Sequence, residues 1–421
     1  MRPKSACRGV LEHRPPTSAV PTSTLPHFCY PCPMPLIPDG TRYSLPPEWE
    51  WREQLRETLE NLFHAWGYEG VQTPALEVHD TNHPLSEKSF KLIDRDGTVL
   101  ALRGEFTTAI SQLVRSSFPN GPWPLRLRYS GNLWIRTRDA EIGRAREYSQ
   151  VGFELLGVST AKADAEVVTL ALEGLRAVGL ENAAVELRHP GFVRAVLEAT
   201  GLTGETLESV RHAIDRKDAP GLRALLEPVN LPEQTRAAVT ALIDLYGGPE
   251  VLAEARKFAL NAAAVIALDR LEAVVQELEA SGLPAERFLF DLGLPRRYTY
   301  YTGVTFQAYT PDFGQPLVGG GRYDGASQPG MTAIPAAGLA FGLERIMTAL
   351  GGPPAIQAPD AIALDAKTAR EMRAKGWRVE HAWTTDRTQL EAYARARGIK
   401  HLLRDGQIET LEPSLQTQVN A

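Results

Sequence analysis

A run of alternating charged and polar residues is the part of this sequence best suited to specific chemistry. It reads Gly143-Arg144-Ala145-Arg146-Glu147-Tyr148-Ser149-Gln150. Alternate side chains of a β-strand share a face, and one face of this run and its continuation carries Arg144, Arg146, Tyr148, Gln150, Gly152 and Glu154. Arginine pairs with a carboxylate, and Gln or Glu accepts hydrogen bonds from an ammonium, so this face could bind a zwitterion. An ion-pair network without a ligand is the alternative.

The surrounding segment, residues 126–154, is locally basic. Six arginines lie between Arg126 and Arg146, against the two acids Asp139 and Glu141. The whole chain has a net charge of −6, so no global positive field draws it to nucleic acid. We therefore predict a local binding site for a small charged metabolite in this segment, with a solvated hairpin as the alternative.

Three other groups of residues could contribute to such a site. Glu105 lies two residues before Thr107, where an acid is also expected at the start of a helix. The pair Tyr300-Tyr301 could orient a polar ligand or fill a core. The glycine-rich run 318–324 lacks the Lys-Ser/Thr of a P-loop, and we predict a tight turn between strands there.

Composition limits the class of protein. A chain of 421 residues is expected to divide into two or three domains. The three cysteines, Cys7, Cys29 and Cys32, all precede residue 33, which argues against a disulfide-built scaffold. Cys29 and Cys32 lack further ligands at zinc-site spacing, so no metal site is predicted.

The N-terminal segment 1–33 is rich in Pro, Ser, Thr and Arg and has no apolar period. We expect it to be disordered, or untranslated with a start at Met34. Its prolines also interrupt any signal-peptide core. The most apolar long stretch, Phe258 to Leu271, is too short and too polar for a membrane span, so a soluble, cytoplasmic protein is expected.

The pattern of apolar residues predicts a core at 34–350 that is split by an insertion. A helix is predicted from Trp51, because apolar residues recur there at helical spacing. Further elements are predicted as strands at 71–76, 99–102, 125–129, 148–156, 287–292 and 300–309, and as helices at 164–178 and 340–350. Residues 191–280 read as a helical insertion. The short strands suggest an antiparallel sheet with flanking helices.

A linker and a small domain are predicted after the core. Residues 351–359 contain two Gly and three Pro and are predicted to be a linker. In 360–421, three short strands alternate with two helices, which indicates a small βαβαβ tail.

Five stretches in a fixed order resemble the class II aminoacyl-tRNA synthetase family, and within it histidyl-tRNA synthetase and the related regulatory subunits of ATP phosphoribosyltransferase. Residues 67–77, with Pro74, resemble the first class II motif, which forms a dimer interface. Residues 136–154 resemble the second motif, and 338–345 the third, with Arg136 and Arg345 at their arginines. Residues 294–306 and 319–324 resemble the histidine-specific part.

The resemblance implies an α+β fold, with an antiparallel sheet flanked by helices and a tail similar to a truncated anticodon-binding domain. It also implies that free histidine is bound by Glu105, Thr107, Gln150, Glu154, Arg296, Tyr300 and Tyr301. No metal or other cofactor is implied.

Departures from the synthetase pattern favour the regulatory subunits over the ligase. Arg138 stands where the synthetases have a glutamate that recognises adenine. Residues 296–299 replace their Arg-Gly-Leu-Asp, and Phe106 replaces a glycine. From Asp360 to Ala421 the charge is only +1, whereas a tRNA-binding module needs a basic surface.

By this resemblance the chain carries no catalytic residue. It would assemble with a short catalytic phosphoribosyltransferase and with itself through the first motif, and would transmit inhibition by histidine in the first step of histidine synthesis. Arg136 and Arg345 would be a vestigial nucleotide site, and no tRNA or membrane partner is expected. A histidyl-tRNA synthetase, or a histidine-binding module of another enzyme, remains the alternative.

Overall fold

The computed structural model describes residues 37–83, 85–136, 145–293, 301–324, 333–355 and 357–411. The predicted N-terminal segment 1–33 and its cysteines lie outside these ranges. So do Arg138, Arg144 and residues 294–300, which include Arg296 and Tyr300.

The central element is a nine-stranded sheet with the order β1-β5-β6-β12-β11-β10-β7-β9-β8. Its strands are β1 (Glu69–Gly70), β5 (Leu125–Trp134), β6 (Glu147–Leu156), β7 (Ala184–Arg188), β8 (Tyr246–Gly247), β9 (Phe288–Asp291), β10 (Tyr301–Thr310), β11 (Phe313–Asp324) and β12 (Pro335–Gly342). The pairs from β5 through β6, β12 and β11 to β10 and β7 are antiparallel, whereas β1 pairs β5 and β7 pairs β9 in parallel. The predicted antiparallel sheet is therefore confirmed.

The glycine-rich run lies in the interior of β11, so the predicted turn is wrong. Gly320 pairs with Phe306 of β10 and Leu339 of β12. A β-carbon at position 320 would lie 2.5 Å from the Gly338 carbonyl oxygen and 2.7 Å from the Phe306 ring. Gly320 thus permits close packing of three strands. From sequence spacing alone, such a tightly packed strand cannot be distinguished from a turn.

Two other predicted boundaries differ from the structure. Of the predicted strand at 71–76, only Leu76 lies in a strand, β2 (Leu76–Val78). Of the predicted helix at 340–350, the first three residues belong to β12, and the helix, α10 (Leu343–Ala349), begins after them.

Ten α-helices surround the large sheet in the described part of the chain. They are α1 (Pro46–Ala65), α2 (Thr107–Ser117), α3 (Ala161–Ala177), α4 (Pro190–Glu198), α5 (Gly204–Asp215), α6 (Ala219–Leu226), α7 (Glu233–Ala241), α8 (Glu250–Arg256), α9 (Ala262–Ala280) and α10 (Leu343–Ala349). Helices α1, α3, α4, α9 and α10 pack against one face of the sheet, α5, α6 and α7 pack mainly on neighbouring helices, and α2 packs on the opposite face. Helix α1 buries Leu55, Leu59 and Phe63, and the Phe63 ring lies edge-on to Phe153 of β6 at 4.9 Å. The predicted amphipathic helix is confirmed, although it begins at Pro46, a residue well suited to a first turn.

A buried ion pair joins three of these elements. Asp164 of α3 accepts hydrogen bonds from Arg322 of β11 at 2.6 Å and from Arg270 of α9 at 2.8 Å. Helices α4 to α9 fill most of 190–280, as the helical pattern predicts. The triad of Arg270, Asp164 and Arg322 thus anchors α9 to the sheet.

Two smaller sheets complete the described chain. One has the order β2-β4-β3, with β3 (Lys91–Ile93) and β4 (Val99–Leu102). The other has the order β14-β13-β15-β16 and contains β13 (Ala361–Ala363), β14 (Val379–His381), β15 (His401–Arg404) and β16 (Gln407–Thr410), with α11 (Ala366–Ala374) and α12 (Arg387–Arg397) between them. The predicted βαβαβ order is confirmed, and β16 adds an antiparallel strand that the sequence pattern missed.

Within the described residues, none of the helices combines the length and the apolar character needed to cross a bilayer.

Candidate functional site

A cavity of about 310 Å³ lies on the side of the large sheet opposite α1 and α3. Strand β6 contributes to the cavity through the alternation of its side chains. Val151, Phe153 and Leu155 point into the main core, while Gln150 and Glu154, which alternate with them, line the cavity. The remaining walls come from the start of α2 and from β5, β10, β11 and β12.

Glu154 is the most buried acid of the cavity, with a relative exposure of 1%. Its Oε1 accepts hydrogen bonds from Thr107 Oγ1 at 3.2 Å and from Tyr129 Oη at 3.4 Å. Burial raises the pKa of Glu154 to about 8, although the neighbouring Tyr323 and Thr107 hydroxyls act in the opposite direction. Its Oε2 is buried without a hydrogen bond of normal geometry in the described part of the chain.

Glu105 also lines the cavity, as does Glu344, and lies between β4 and α2. It accepts hydrogen bonds from the Thr108 backbone amide at 2.9 Å and from the His83 ring at 3.1 Å. Burial alone would raise the pKa of Glu105, but these bonds hold it below its ordinary value. Glu105 therefore both accepts a backbone hydrogen bond at the start of α2, as expected, and lines the cavity.

Glu105 and Glu154 therefore differ in protonation at neutral pH, with Glu105 ionised and Glu154 largely neutral. An ionised carboxylate pairs with a cation, and a protonated one can still accept and can also donate a hydrogen bond. This combination suits a small ligand with a cationic group and several N–H donors.

Aromatic side chains form the walls around the acids. Tyr129, Tyr148, Tyr301 and Tyr323 all line the cavity. The Tyr129 ring stacks on Phe106 at 4.4 Å, and the Arg103 guanidinium lies 4.1 Å from the Phe106 centroid. Flat rings with polar rims can enclose a planar, partly apolar ligand.

Five of the seven residues predicted to bind histidine line this one cavity: Glu105, Thr107, Gln150, Glu154 and Tyr301. The other two, Arg296 and Tyr300, lie outside the described residues. Of the vestigial nucleotide pair, Arg345 lines the cavity and donates to the Pro316 carbonyl at 2.8 Å. Arg136 is exposed and is not among the lining residues.

None of the described arginines of the basic segment, Arg126, Arg128, Arg136 and Arg146, lines the cavity. Arg126 pairs with Glu166 of α3 at 2.9 Å, and Arg128 donates to the Tyr68 carbonyl at 3.0 Å. Arg128 pairs in register with Phe153, a main-core residue, so both arginines face the helical layer. The prediction of a binding site across all of 126–154 is wrong for this part.

Sequence reasoning missed Tyr129, Tyr323 and Gln307 as cavity residues. Tyr323 follows Gly319 and Gly321 at alternate positions on β11, and all three line the cavity. The period of two would have identified Tyr323 if the glycine run had been interpreted as a strand.

The chain is similar to known proteins in both sequence and fold. A family model described as "Histidyl-tRNA synthetase" matches residues 40–346. Two curated relatives are each named "ATP phosphoribosyltransferase regulatory subunit". That of Deinococcus radiodurans is 44% identical over 91% of this chain and 93% of its own length. That of Thermus thermophilus is 46% identical over 90% of this chain and 99% of its own.

Solved structures share the fold. A Bacillus halodurans C chain, described as an ATP phosphoribosyltransferase regulatory subunit/histidyl-tRNA synthetase, superposes with a TM-score of 0.76 at 29% identity, over 88% of this chain and 98% of that one. A histidyl-tRNA synthetase from Nostoc sp. PCC 7120 gives a TM-score of 0.71 at 16% identity, over 87% and 90%, which shows likeness of fold alone. The expected fold class, a class II synthetase-like α+β architecture, is thereby confirmed.

Proposed function

The chain belongs to the family of ATP phosphoribosyltransferase regulatory subunits, and from this premise we propose that it activates a short catalytic phosphoribosyltransferase in the cytoplasm and transmits inhibition by free histidine. It contributes no catalytic residue of its own. The partner joins ATP and phosphoribosyl pyrophosphate in the first step of histidine synthesis.

The observation that carries this proposal is the cavity in which Glu105, Gln150 and Glu154 meet. Histidine brings an ammonium and an imidazole, and both offer N–H donors to these oxygens. Tyr301 and Tyr129 supply flat surfaces for the ring. Arg296 and Tyr300 are proposed as further histidine contacts from the resemblance alone.

The side chains that would serve ATP argue against a ligase. Arg136, at the position of the ATP-binding arginine, is exposed and is not among the residues lining the cavity. Arg345 donates to a backbone carbonyl of β11. Adenylation needs cations on the developing charge at the α-phosphate, and these two positions would supply them poorly.

Inhibition requires two conformations of the assembly that bind histidine unequally. The cavity is built from both the α2 start and the sheet, so a bound ligand would connect them. Such a ligand can shift the assembly only by the difference of its affinities for the two conformations.

We also propose a homodimer through the first class II motif. The small sheet beside that motif carries an exposed apolar row. Val78 is 73% exposed, Leu76 51% and Leu92 44%, and Val78 and Leu92 both pair with Leu100. Contiguous exposed apolar side chains typically mark an interface. Sedimentation should give a dimer for the wild type and a monomer for Val78→Glu; a wild-type monomer would refute this part.

Reconstitution tests the main proposal. The chain should copurify with a short phosphoribosyltransferase from a co-expressing host, and the catalytic activity should depend on its presence. Purified alone, it should not exchange pyrophosphate into ATP when histidine is added. Histidine-dependent exchange would instead establish a ligase.

A further inference from the structure

The imidazole of His83 reaches Glu105 from outside the set of side chains that line the cavity. His83 Nε2 lies 3.1 Å from Glu105 Oε1, and the Thr108 amide donates to the same oxygen at 2.9 Å. Glu105 belongs to the irregular connection before α2, where backbone ladders do not fix it. These two bonds therefore determine the position of its carboxylate.

The direction of the His83 bond follows from its other ring nitrogen. The Leu85 backbone amide donates to His83 Nδ1 at 3.0 Å. A nitrogen that accepts a hydrogen bond carries no proton, so in the neutral ring the proton is on Nε2. His83 thus donates to Glu105, and the amide of Leu85 fixes the orientation of the ring.

We propose that His83 is a positioning residue for ligand binding, holding the Glu105 carboxylate in place for a cationic group of the ligand. This inference deepens the proposed function and rests on it, with free histidine as the ligand. A carboxylate that is ordered before binding spares the ligand the cost of ordering it.

A purely structural ion pair is the competing interpretation. The side chains of His83 and Glu105 are 14% and 22% exposed, so the pair is largely buried and its burial is compatible with either role. The interpretations differ in one respect. A positioning role changes ligand affinity through Glu105, whereas a structural role changes only unfolding.

Calorimetry with L-histidine and the full chain separates them. His83→Leu removes the donor and should weaken binding about tenfold, the typical effect of a lost hydrogen bond to a charged group. His83→Gln presents an amide N–H near the place of Nε2 and should restore most of the affinity. His79→Gln is the matched control, because His79 lies in the same segment with its ring 3.2 Å from Ser86 Oγ. The His79→Gln variant should bind histidine with the affinity of the wild type.

A double-mutant cycle tests the route through Glu105. In a Glu105→Gln background, His83→Leu should cause little further loss, since coupled residues are not additive. Additive losses, a Gln variant as weak as the Leu variant, or wild-type affinity in His83→Leu would each overturn the inference. If the wild type itself does not bind histidine, the proposed function fails and this inference fails with it.

Discussion

Gly338 of β12 pairs with Glu154 of β6, and a β-carbon at position 338 would lie 1.8 Å from Glu154 Oε2. The same β-carbon would lie 2.4 Å from the Phe153 carbonyl oxygen. The buried carboxylate occupies the space that a side chain on β12 would need. A glycine at this position is therefore part of the cavity.

Gly338→Ala should displace the Glu154 carboxylate and weaken histidine binding by at least tenfold, with a loss of about 1–3 kcal/mol in unfolding free energy from overpacking. Calorimetry and urea unfolding measure the two effects. Gly314→Ala on β11 is the control, because a β-carbon there meets no atom within 4 Å. Unchanged histidine affinity in Gly338→Ala would mean that Glu154 is not a ligand contact.

Glu154 should make the unfolding free energy depend on pH. Its folded pKa of about 8 exceeds the ordinary value of 4.5, so the folded state binds the extra proton between these values. Stability from this group is then greatest at low pH and falls as pH rises toward 8. The Glu154→Gln variant cannot titrate at this position, so it should not lose stability in this way as pH rises.

Urea titrations of wild type and Glu154→Gln at pH 5 and pH 9 test this prediction. The variant should gain stability relative to the wild type as pH rises. Glu57→Gln, at an exposed position of α1, should follow the wild type at both values. A constant difference between Glu154→Gln and wild type would contradict the raised pKa.

Glu105→Ala and Gln150→Ala should each weaken histidine binding about tenfold or more, because each removes an acceptor for a charged or N–H donor group. Neither should unfold the chain. Glu87→Ala is a suitable control, as Glu87 is exposed and does not line the cavity. Wild-type affinity in both site variants would place the ligand elsewhere.

Asp164→Ala should lower the unfolding free energy by about 3–5 kcal/mol, since it leaves the buried Arg322 guanidinium without its carboxylate partner. Arg256→Ala breaks ion pairs of Asp269 and Glu272 on the surface and should cost less than about 1 kcal/mol. Chemical denaturation measures both. Equal losses would mean that burial of the triad does not matter.

Residue types and periodicity were enough to predict the members of the site that lie on one regular strand. Gln150 and Glu154 follow from alternation along β6, and Glu105 and Thr107 follow from the resemblance. The faces of Arg126 and Arg128 could not be predicted in this way. They depend on the register of β5 against β6, in which Leu127 pairs with Glu154 and Arg128 with Phe153.

The close packing of strands around the glycine run also could not be predicted from the sequence pattern. Three consecutive glycines are typical of a turn, yet Gly319 to Gly321 lie within a strand, where Phe306 and the Gly338 backbone approach Gly320 and Val304 and Thr305 approach Gly321. His83 likewise carries no motif. Its contact with Glu105 arises from the path of the chain between β2 and β3.

Histidine bound to this chain is proposed to control a partner enzyme. The histidine dose response of the reconstituted phosphoribosyltransferase tests this, with wild type or Glu105→Ala as the regulatory chain. We expect activation by both chains, inhibition by histidine with the wild type, and a response shifted to at least about tenfold higher histidine with the variant. Identical dose responses for the two chains, or activity that does not depend on the chain, would contradict it.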